Sequence, residues 1–213
     1  LARCADVFHR TVDIDGYPVL NHRPPCSIWE LKRHAWTVTS EFQRCAYCDA
    51  DSLVIRDPGP VFDLADPVHT PGARDISDTM RWAIPPFVDS TVELGLALGI
   101  RPPIQTLNGG FFVWDRSASA QRWFDDWAAL QTAIARIYKA GSHADVRDEL
   151  CMAFAFAKQG IRLSRSDSSI GLWDAGNLTL DIQEQRFECT KGFYWQGHRF
   201  NPYIAHFGGR TIS

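Results

Sequence analysis

The spacing of apolar residues predicts helices and strands in the first half of the chain. Apolar positions at helical spacing in residues 28–40 predict a first helix, and residues 46–55 have the apolar character of a strand. The prolines and the glycine in residues 57–60 are expected to end that strand. Residues 65–103 contain six further prolines and predict a surface insertion around one helix, with Ser90 and Glu93 as a capping box and Gly99 at its end.

A strong strand and a long helix are predicted next. The apolar residues 111–114 predict a buried strand that follows the turn Asn108-Gly109-Gly110. Ser117 or Ser119 is expected to cap a helix that continues to residue 140. The apolar stripe of this helix consists of Trp123, Trp127, Leu130, Ile134 and Ile137.

The remaining elements decide the fold class. Residues 144–159 predict a helix that Gly160 ends, residues 161–163 a short strand, and the alternating positions from residue 178 onward an antiparallel ribbon. Strands interleaved with helices indicate an α/β fold, and the hairpin-like end of the chain indicates a mixed sheet flanked by helices. Because no segment repeats itself and none is of low complexity, we expect a single domain over residues 1–213.

Composition narrows the class of protein. The chain has 213 residues, of which 45% are hydrophobic and 22% charged, as in compact globular domains. Its 22 Lys and Arg and 25 Asp and Glu give a formal charge of -3, and the basic residues are scattered, so nucleic acid is not an expected partner. The longest run without a polar residue or glycine, 150–157, is far shorter than the roughly 20 residues of a membrane helix, so no transmembrane segment is expected.

The cysteines and the first residue bear on the compartment. Six scattered cysteines do not form the framework of a small disulfide-rich protein, so we expect mostly reduced thiols, which favours the cytoplasm without fixing the compartment. Cys45 and Cys48 are three apart on a predicted strand and would face opposite sides, so we do not expect them to share a zinc ion. The sequence begins with Leu1 and not with Met, and no basic and then apolar leader follows. We therefore expect a processed product, a trimmed product or a fragment.

Two carboxylates stand within the first predicted strand. In Asp49-Ala50-Asp51 the spacing of two residues sends both acidic side chains to the same side of a strand. Such oxygen donors suit Mg²⁺ or Mn²⁺ shared with a phosphate-bearing substrate. The alternative is a solvated strand end without a ligand.

This region resembles the metal-binding region of glycosyltransferases with the GT-A fold. Those families show a hydrophobic strand, Asp-x-Asp, a hydrophobic step, and then a proline and a phenylalanine-rich turn, matched here by residues 47–55, Pro58 and residues 61–64. Three further motifs of these families are matched in the same order, by Asn108-Gly109-Gly110, Asp148-Glu149 and His206-Phe207-Gly208-Gly209. The resemblance covers about residues 28–210 and implies the GT-A fold.

The resemblance also implies a function and a site. It implies transfer of a sugar from a nucleotide-diphosphate-sugar donor to a hydroxyl acceptor, with a divalent ion on Asp49 and Asp51. His206 would complete the metal site, as in glycogenin-like members, and its imidazole would favour Mn²⁺ over Mg²⁺. The donor-binding residues would be Lys32, Asp49, Asp51, Asn108, Gly109, Gly110, Gly208 and Arg210.

Several of these residues have a second interpretation. Asp148 and Glu149 would contact the sugar or the acceptor, and one of them would be the general base of an inverting reaction, whereas acids in a first helical turn also interact favourably with the helix dipole. Lys32 could be a solvated helix charge, His206 a hydrogen-bonded interior histidine, and residues 108–110 a plain tight turn. The family usually has Asp-Gln where this chain has Asp148 and Glu149.

Two other functions and two structural expectations stay open. The chain could be a catalytically silent sugar-nucleotide or carbohydrate-binding relative, or a metal-dependent nucleotidyltransferase, although no basic cluster for a triphosphate is visible near Asp49. Only 48 residues precede Asp49, so the nucleotide-binding half is expected to be partly absent or shortened. The insertion 65–103 would form an acceptor loop.

Overall fold

The computed structural model of the protein describes residues 28–49, 51–63, 66–70, 74–75, 91–107, 109–137, 148–163, 169–172, 178–181, 184, 186–189 and 203–207. Its helices are α1 (Ile28–Val38), α2 (Gly59–Phe62), α3 (Thr91–Ala97), α4 (Ala118–Ile137) and α5 (Asp148–Lys158). Its strands are β1 (Arg44–Cys48), β2 (Ser52–Val54), β3 (Val68–His69), β4 (Arg74–Asp75), β5 (Gln105–Thr106), β6 (Phe111–Asp115), β7 (Ser169–Leu172), β8 (Leu178–Asp181), β9 (Arg186–Cys189) and β10 (Ile204–Phe207).

The described strands form four small sheets. One antiparallel sheet has the order β1-β6-β3, and a mixed sheet has the order β2-β10-β7, in which β10 is antiparallel to β2 and parallel to β7. The pairs β4-β5 and β8-β9 are antiparallel, so the predicted ribbon after residue 178 is confirmed in β8 and β9. The protein is therefore a mixed α/β structure with helices and small sheets, as the sequence predicts at this coarse level.

The hydrophobic core lies between β6 and helices α4 and α5. The ring of Phe112 on β6 packs against Trp123 and Trp127 of α4, with centroids 5.9 and 6.0 Å apart. Residues 148–156 of α5 are all buried, as expected of a helix surrounded by other elements. This packing fixes the start of α5 beside the start of β6.

Helix α4 largely follows its sequence prediction. The hydroxyl of Ser117 accepts a hydrogen bond from the amide of Ala120 at 3.1 Å, which confirms Ser117 as the capping residue. Trp123, Trp127, Leu130 and Ile134 are buried, as the predicted stripe requires. Ile137 was expected in the stripe but is 51% exposed, because it is the last residue of the helix.

Both predicted glycine helix ends are confirmed. Gly99 and Gly160 have φ of 74° and 65°, the left-handed conformation that glycine adopts without strain. The amide of Ile100 then bonds to Gly95 O and the amide of Ile161 to Phe156 O, which closes α3 and α5. Ser90 and residues 138–147, parts of the predicted helices, lie outside the described residues.

Three predictions of strands and loops are wrong in detail. Residues 46–55 are not one strand, because β1 pairs with β6 whereas β2 pairs with β10, and the chain turns between them. Residues 161–163 form no strand, because the backbone of Leu163 bonds instead to both ends of the Gln105 side-chain amide. The insertion 65–103 is not only surface loop, since Val68 and His69 of β3 are buried beside β6.

Among the described residues, no helix combines the length and the apolar character needed to cross a bilayer.

Candidate metal centre

Strand pairing brings three potential metal ligands to one place. Asp49 directly follows β1, and its amide bonds to Gly110 O at 2.8 Å, which extends the pairing of β1 with β6. Asp51 directly precedes β2, and His206 of β10 is the register partner of the next residue, Ser52. The turn between β1 and β2 therefore places both aspartates against His206, although the two strands belong to different sheets.

The ligand atoms of Asp49, Asp51 and His206 lie within 4.8 Å of one another. His206 Nε2 is 3.4 Å from Asp49 Oδ2 and 3.1 Å from Asp51 Oδ1. Neighbouring ligands of an octahedral ion with bonds of about 2.1 Å are roughly 3.0 Å apart, close to these separations. The two carboxylates thus face one point with His206, but across the turn between β1 and β2 and not along one strand as the sequence predicts. That these residues hold a metal stays a prediction.

The cluster is buried on one side and open on the other. The side chains of His206, Asp49 and Asp51 are 7%, 18% and 39% exposed. The imidazole of His206 is thus the most buried of the three side chains, and the carboxylate of Asp51 is the most accessible. The cluster is therefore accessible from the side of Asp51.

Lys32 is part of this cluster rather than a solvated helix charge. It projects from α1 with only 4% of its side chain exposed, and its ammonium lies 2.8 Å from Asp148 Oδ2 and 3.0 Å from Asp49 Oδ1. It also donates a hydrogen bond to Gly109 O at 3.2 Å. Burial alone would lower the pKa of Lys32, but the carboxylates of Asp148 and Asp49 outweigh burial and raise it. Lys32 therefore stays charged and joins α1 to both acids.

Tyr47 was missed by sequence reasoning and holds Asp49 from the other side. Its hydroxyl donates a hydrogen bond to Asp49 Oδ1 at 2.6 Å, and its ring stacks on Phe112 with centroids 5.2 Å apart. Burial and this hydrogen bond raise the pKa of Tyr47, so the hydroxyl remains a donor. The available signal was position: Tyr47 lies only two residues before Asp49 in the sequence. Tyr47 and Lys32 therefore both hold the Asp49 carboxylate, since Lys32 also donates a hydrogen bond to Asp49 Oδ2 at 3.1 Å.

The glycine corner before β6 packs against the site's own side chains. The amide of Gly109 donates to Glu149 Oε1 at 2.9 Å, and a Cβ on Gly109 would come within 2.9 Å of Glu149 Cγ. A Cβ on Gly110 would lie 2.3 Å from His206 Nδ1. The two glycines thus permit close approach, here of Glu149 and His206, and contact of this corner with a donor stays a prediction.

The two predicted catalytic acids begin helix α5. Asp148 is 3% exposed and faces Lys32, and Glu149 is 7% exposed and faces the Gly109 amide. Their positions in the first turn also suit the positive end of the helix dipole. The structure therefore joins both acids to the cluster of Asp49, Asp51 and His206, and the role of either as a general base stays a prediction.

Other predicted site residues fall outside the described part of the chain. These are Asn108, Gly208 and Arg210. Tyr203 is half-buried, and the guanidinium of Arg56 lies 3.7 Å from the centroid of its ring.

Three described cysteines, Cys45, Cys48 and Cys151, are free thiols. Cys45 is buried and Cys48 exposed, as expected for residues three apart on a strand. Cys151 on α5 is also free and fully buried. Burial raises the pKa of Cys151, which makes it a weaker nucleophile than an ordinary cysteine.

Comparison with known proteins finds no relative: no protein-family model, no curated protein and no solved structure matches this chain. The case for a function therefore depends on the arrangement of these residues.

Proposed function

We propose that the protein is a metal-dependent glycosyltransferase of the GT-A type, which transfers a sugar from a nucleotide-diphosphate-sugar donor to a hydroxyl acceptor. One observation carries the proposal. Four motifs that are far apart in the sequence, around Asp49, Gly109, Asp148 and His206, meet at one point, and they are the four on which the resemblance to GT-A glycosyltransferases rests.

The donor atoms of the cluster fit a divalent cation. The imidazole nitrogen of His206 lies 3.4 and 3.1 Å from carboxylate oxygens of Asp49 and Asp51, close to the separations of neighbouring ligands, and all three ligand atoms lie within 4.8 Å of one another. An imidazole among the ligands favours Mn²⁺ over Mg²⁺, which prefers oxygen throughout. Asp49, Asp51 and His206 would hold the ion, which would supply positive charge against the leaving diphosphate.

The surrounding residues orient these ligands. Tyr47 donates to Asp49 Oδ1, and the Lys32 ammonium lies 3.0 and 3.1 Å from Asp49 Oδ1 and Oδ2, so both residues hold the carboxylate whose Oδ2 lies 3.4 Å from His206 Nε2. Lys32 also fixes Asp148, and the Gly109 amide fixes Glu149, so the acids at the start of α5 are held beside the ligands. Such pre-orientation removes the reorganisation that binding a charged leaving group would otherwise require.

The decisive experiment is a screen of nucleotide sugars for release of nucleoside diphosphate in the presence of Mn²⁺. We expect one donor to be consumed, with loss of at least about 100-fold in rate for Asp49→Asn and Asp51→Asn, since each removes a charge from the cation site. Asp125→Asn is the matched control, because Asp125 lies on the exposed face of α4 and bonds only locally to Gln121.

The screen also separates the alternatives. A chain that binds a nucleotide sugar with Mn²⁺ and never releases the diphosphate is a silent binding relative. Release of pyrophosphate from a nucleoside triphosphate would instead identify a nucleotidyltransferase. If no nucleotide sugar is bound or consumed with any divalent ion, the proposal is wrong.

A further inference from the structure

Gly110 and His206 are packed so closely that no side chain fits at position 110. A Cβ built on Gly110 would lie 2.3, 2.6 and 2.7 Å from Nδ1, Cε1 and Cγ of the His206 ring. The imidazole therefore lies directly against the bare Cα of Gly110. The backbone of Gly110 is not in the left-handed region, which among the described glycines is found at Gly99 and Gly160. A side chain at position 110 would thus be excluded by the imidazole and not by backbone strain.

The same glycine is bonded to another candidate ligand. Gly110 O accepts the hydrogen bond of the Asp49 amide at 2.8 Å, at the end of the β1-β6 ladder. Gly110 is therefore fixed to Asp49 by its backbone on one side and packed on the His206 ring on the other. The two residues that Gly110 contacts approach each other at 3.4 Å, between His206 Nε2 and Asp49 Oδ2.

We propose that Gly110 is a positioning residue of the metal centre: it holds the His206 imidazole in the orientation that points Nε2 at Asp49 and Asp51. This inference rests on the metal site of the proposed function and deepens it. Gly110 itself touches no ion or substrate. Its part is to provide a flat surface, fixed by the strand ladder, against which the ring of the third ligand packs.

Gly110→Ala should displace the His206 ring and leave the backbone of residue 110 in place. The ring is the outer end of a side chain, whereas the Gly110 carbonyl is held in the ladder, so the imidazole turns away from the new methyl group. We expect the affinity for Mn²⁺ to fall at least about tenfold, as when the support of a ligand is removed. His206→Ala should lower the affinity by a similar factor, because both variants remove the imidazole from the site.

The test is a double-mutant cycle on Mn²⁺ binding, followed by the electron paramagnetic resonance of free Mn²⁺. If Gly110 acts through His206, Gly110→Ala weakens binding in the wild-type background and weakens it no further in His206→Ala. Wild-type affinity in Gly110→Ala overturns the proposal. A fall by the same factor in both backgrounds also overturns it, because the effect would then come through Asp49 or the backbone.

The same cycle on thermal unfolding of the metal-free protein separates this inference from the proposed function. Gly110→Ala should lower Tm in the wild-type background and much less in His206→Ala, where the methyl group meets no ring. Equal shifts in both backgrounds overturn the inference even if Mn²⁺ binds. If the wild-type protein binds no Mn²⁺ but the unfolding cycle shows the expected coupling, the metal site fails while the contact of Gly110 with His206 stands.

Gly95→Ala is the matched control for these measurements. Its Cβ would also meet a close neighbour, Ile104 Cδ1 at 3.0 Å, but it lies in α3 and contacts none of the three candidate ligands. It should bind Mn²⁺ with wild-type affinity, and a loss equal to that of Gly110→Ala would overturn the proposal.

Discussion

The ammonium of Lys32 lies 2.8 Å from the carboxylate of Asp148, and each side chain is only 4% exposed. Helix α1 and the start of α5 are joined through this ion pair, which also faces Asp49. A buried ion pair is weak evidence of net stabilisation, but removing one partner leaves the other charge buried and alone.

Lys32→Met should therefore destabilise the protein strongly. We expect a loss of about 3–5 kcal/mol in the free energy of unfolding, measured in urea, because Asp148 would be left as a buried charge. Asp148→Asn in the same background should recover part of the loss. Lys158→Met is the control, since Lys158 is 49% exposed beside Asp126 and should cost no more than about 1 kcal/mol. Equal losses for the two lysine variants would contradict the role assigned to Lys32.

Manganese should stabilise the folded protein. At a concentration 100 times Kd, a ligand that binds only the folded state adds about 2.7 kcal/mol, which corresponds to roughly 5–10 °C in Tm for a chain of this size. Thermal unfolding with Mn²⁺ and after chelation measures this shift. His206→Ala and Asp51→Asn should reduce it, whereas Asp125→Asn should retain it. A shift that survives the loss of His206 would show that the ion binds elsewhere.

Arg116 should be important for the junction between α1 and β6. Its guanidinium donates to Trp36 O, Phe42 O and Thr39 Oγ1 at 2.6, 3.1 and 2.7 Å, and lies 4.4 Å from the centroid of the Trp36 ring. Arg116→Lys cannot reproduce this planar set of bonds and should lose about 1.5–3 kcal/mol in urea unfolding.

Arg122→Lys is the control for Arg116, because Arg122 is exposed on α4 and bonds to Ser119 of its own helix. It should change stability by less than about 0.5 kcal/mol. A stability of Arg116→Lys equal to that of the wild type would show that the contacts of Arg116 add nothing.

His69 should make stability depend on pH. Burial lowers the pKa of His69 below its usual 6.5, more than the nearby Asp66 raises it. As pH falls below 6.5, the unfolded chain takes up a proton that the folded protein resists, so this contribution destabilises the folded state. Urea unfolding between pH 5 and 7.5 should show a stability that falls toward pH 5, and less steeply in His69→Leu. The same slope in both proteins would exclude His69 as the cause.

The sequence predicted best those elements that are defined by residues close together in the chain. Helix α4 has a periodic stripe and the Ser117 cap, and α5 ends at Gly160, so nearby residues suffice to define them. The division of residues 46–55 into β1 and β2 has a different origin. It follows from pairing with β6 and β10, which come much later in the chain and leave no trace in the local pattern.

The same distinction holds for the site. The spacing of Asp49 and Asp51 predicted that both acids face one point, and the resemblance to GT-A glycosyltransferases supplied His206. The burial of Lys32 was not predictable from α1 alone, because its partners Asp49 and Asp148 come from other elements. Tyr47 was within reach of sequence reasoning, since it lies only two residues before Asp49 in the sequence.

Strand β10, which carries His206, lies between β2 and β7 and is held by both. During synthesis, the turn with Asp49 and Asp51 leaves the ribosome long before His206 does, so the cluster of these three residues cannot form until β10 has emerged. Before β10 is in place, the two aspartates would bind a cation no more tightly than any other pair of surface carboxylates. Under the proposed function, cation affinity at this point would therefore report that β10 has paired with β2 and β7.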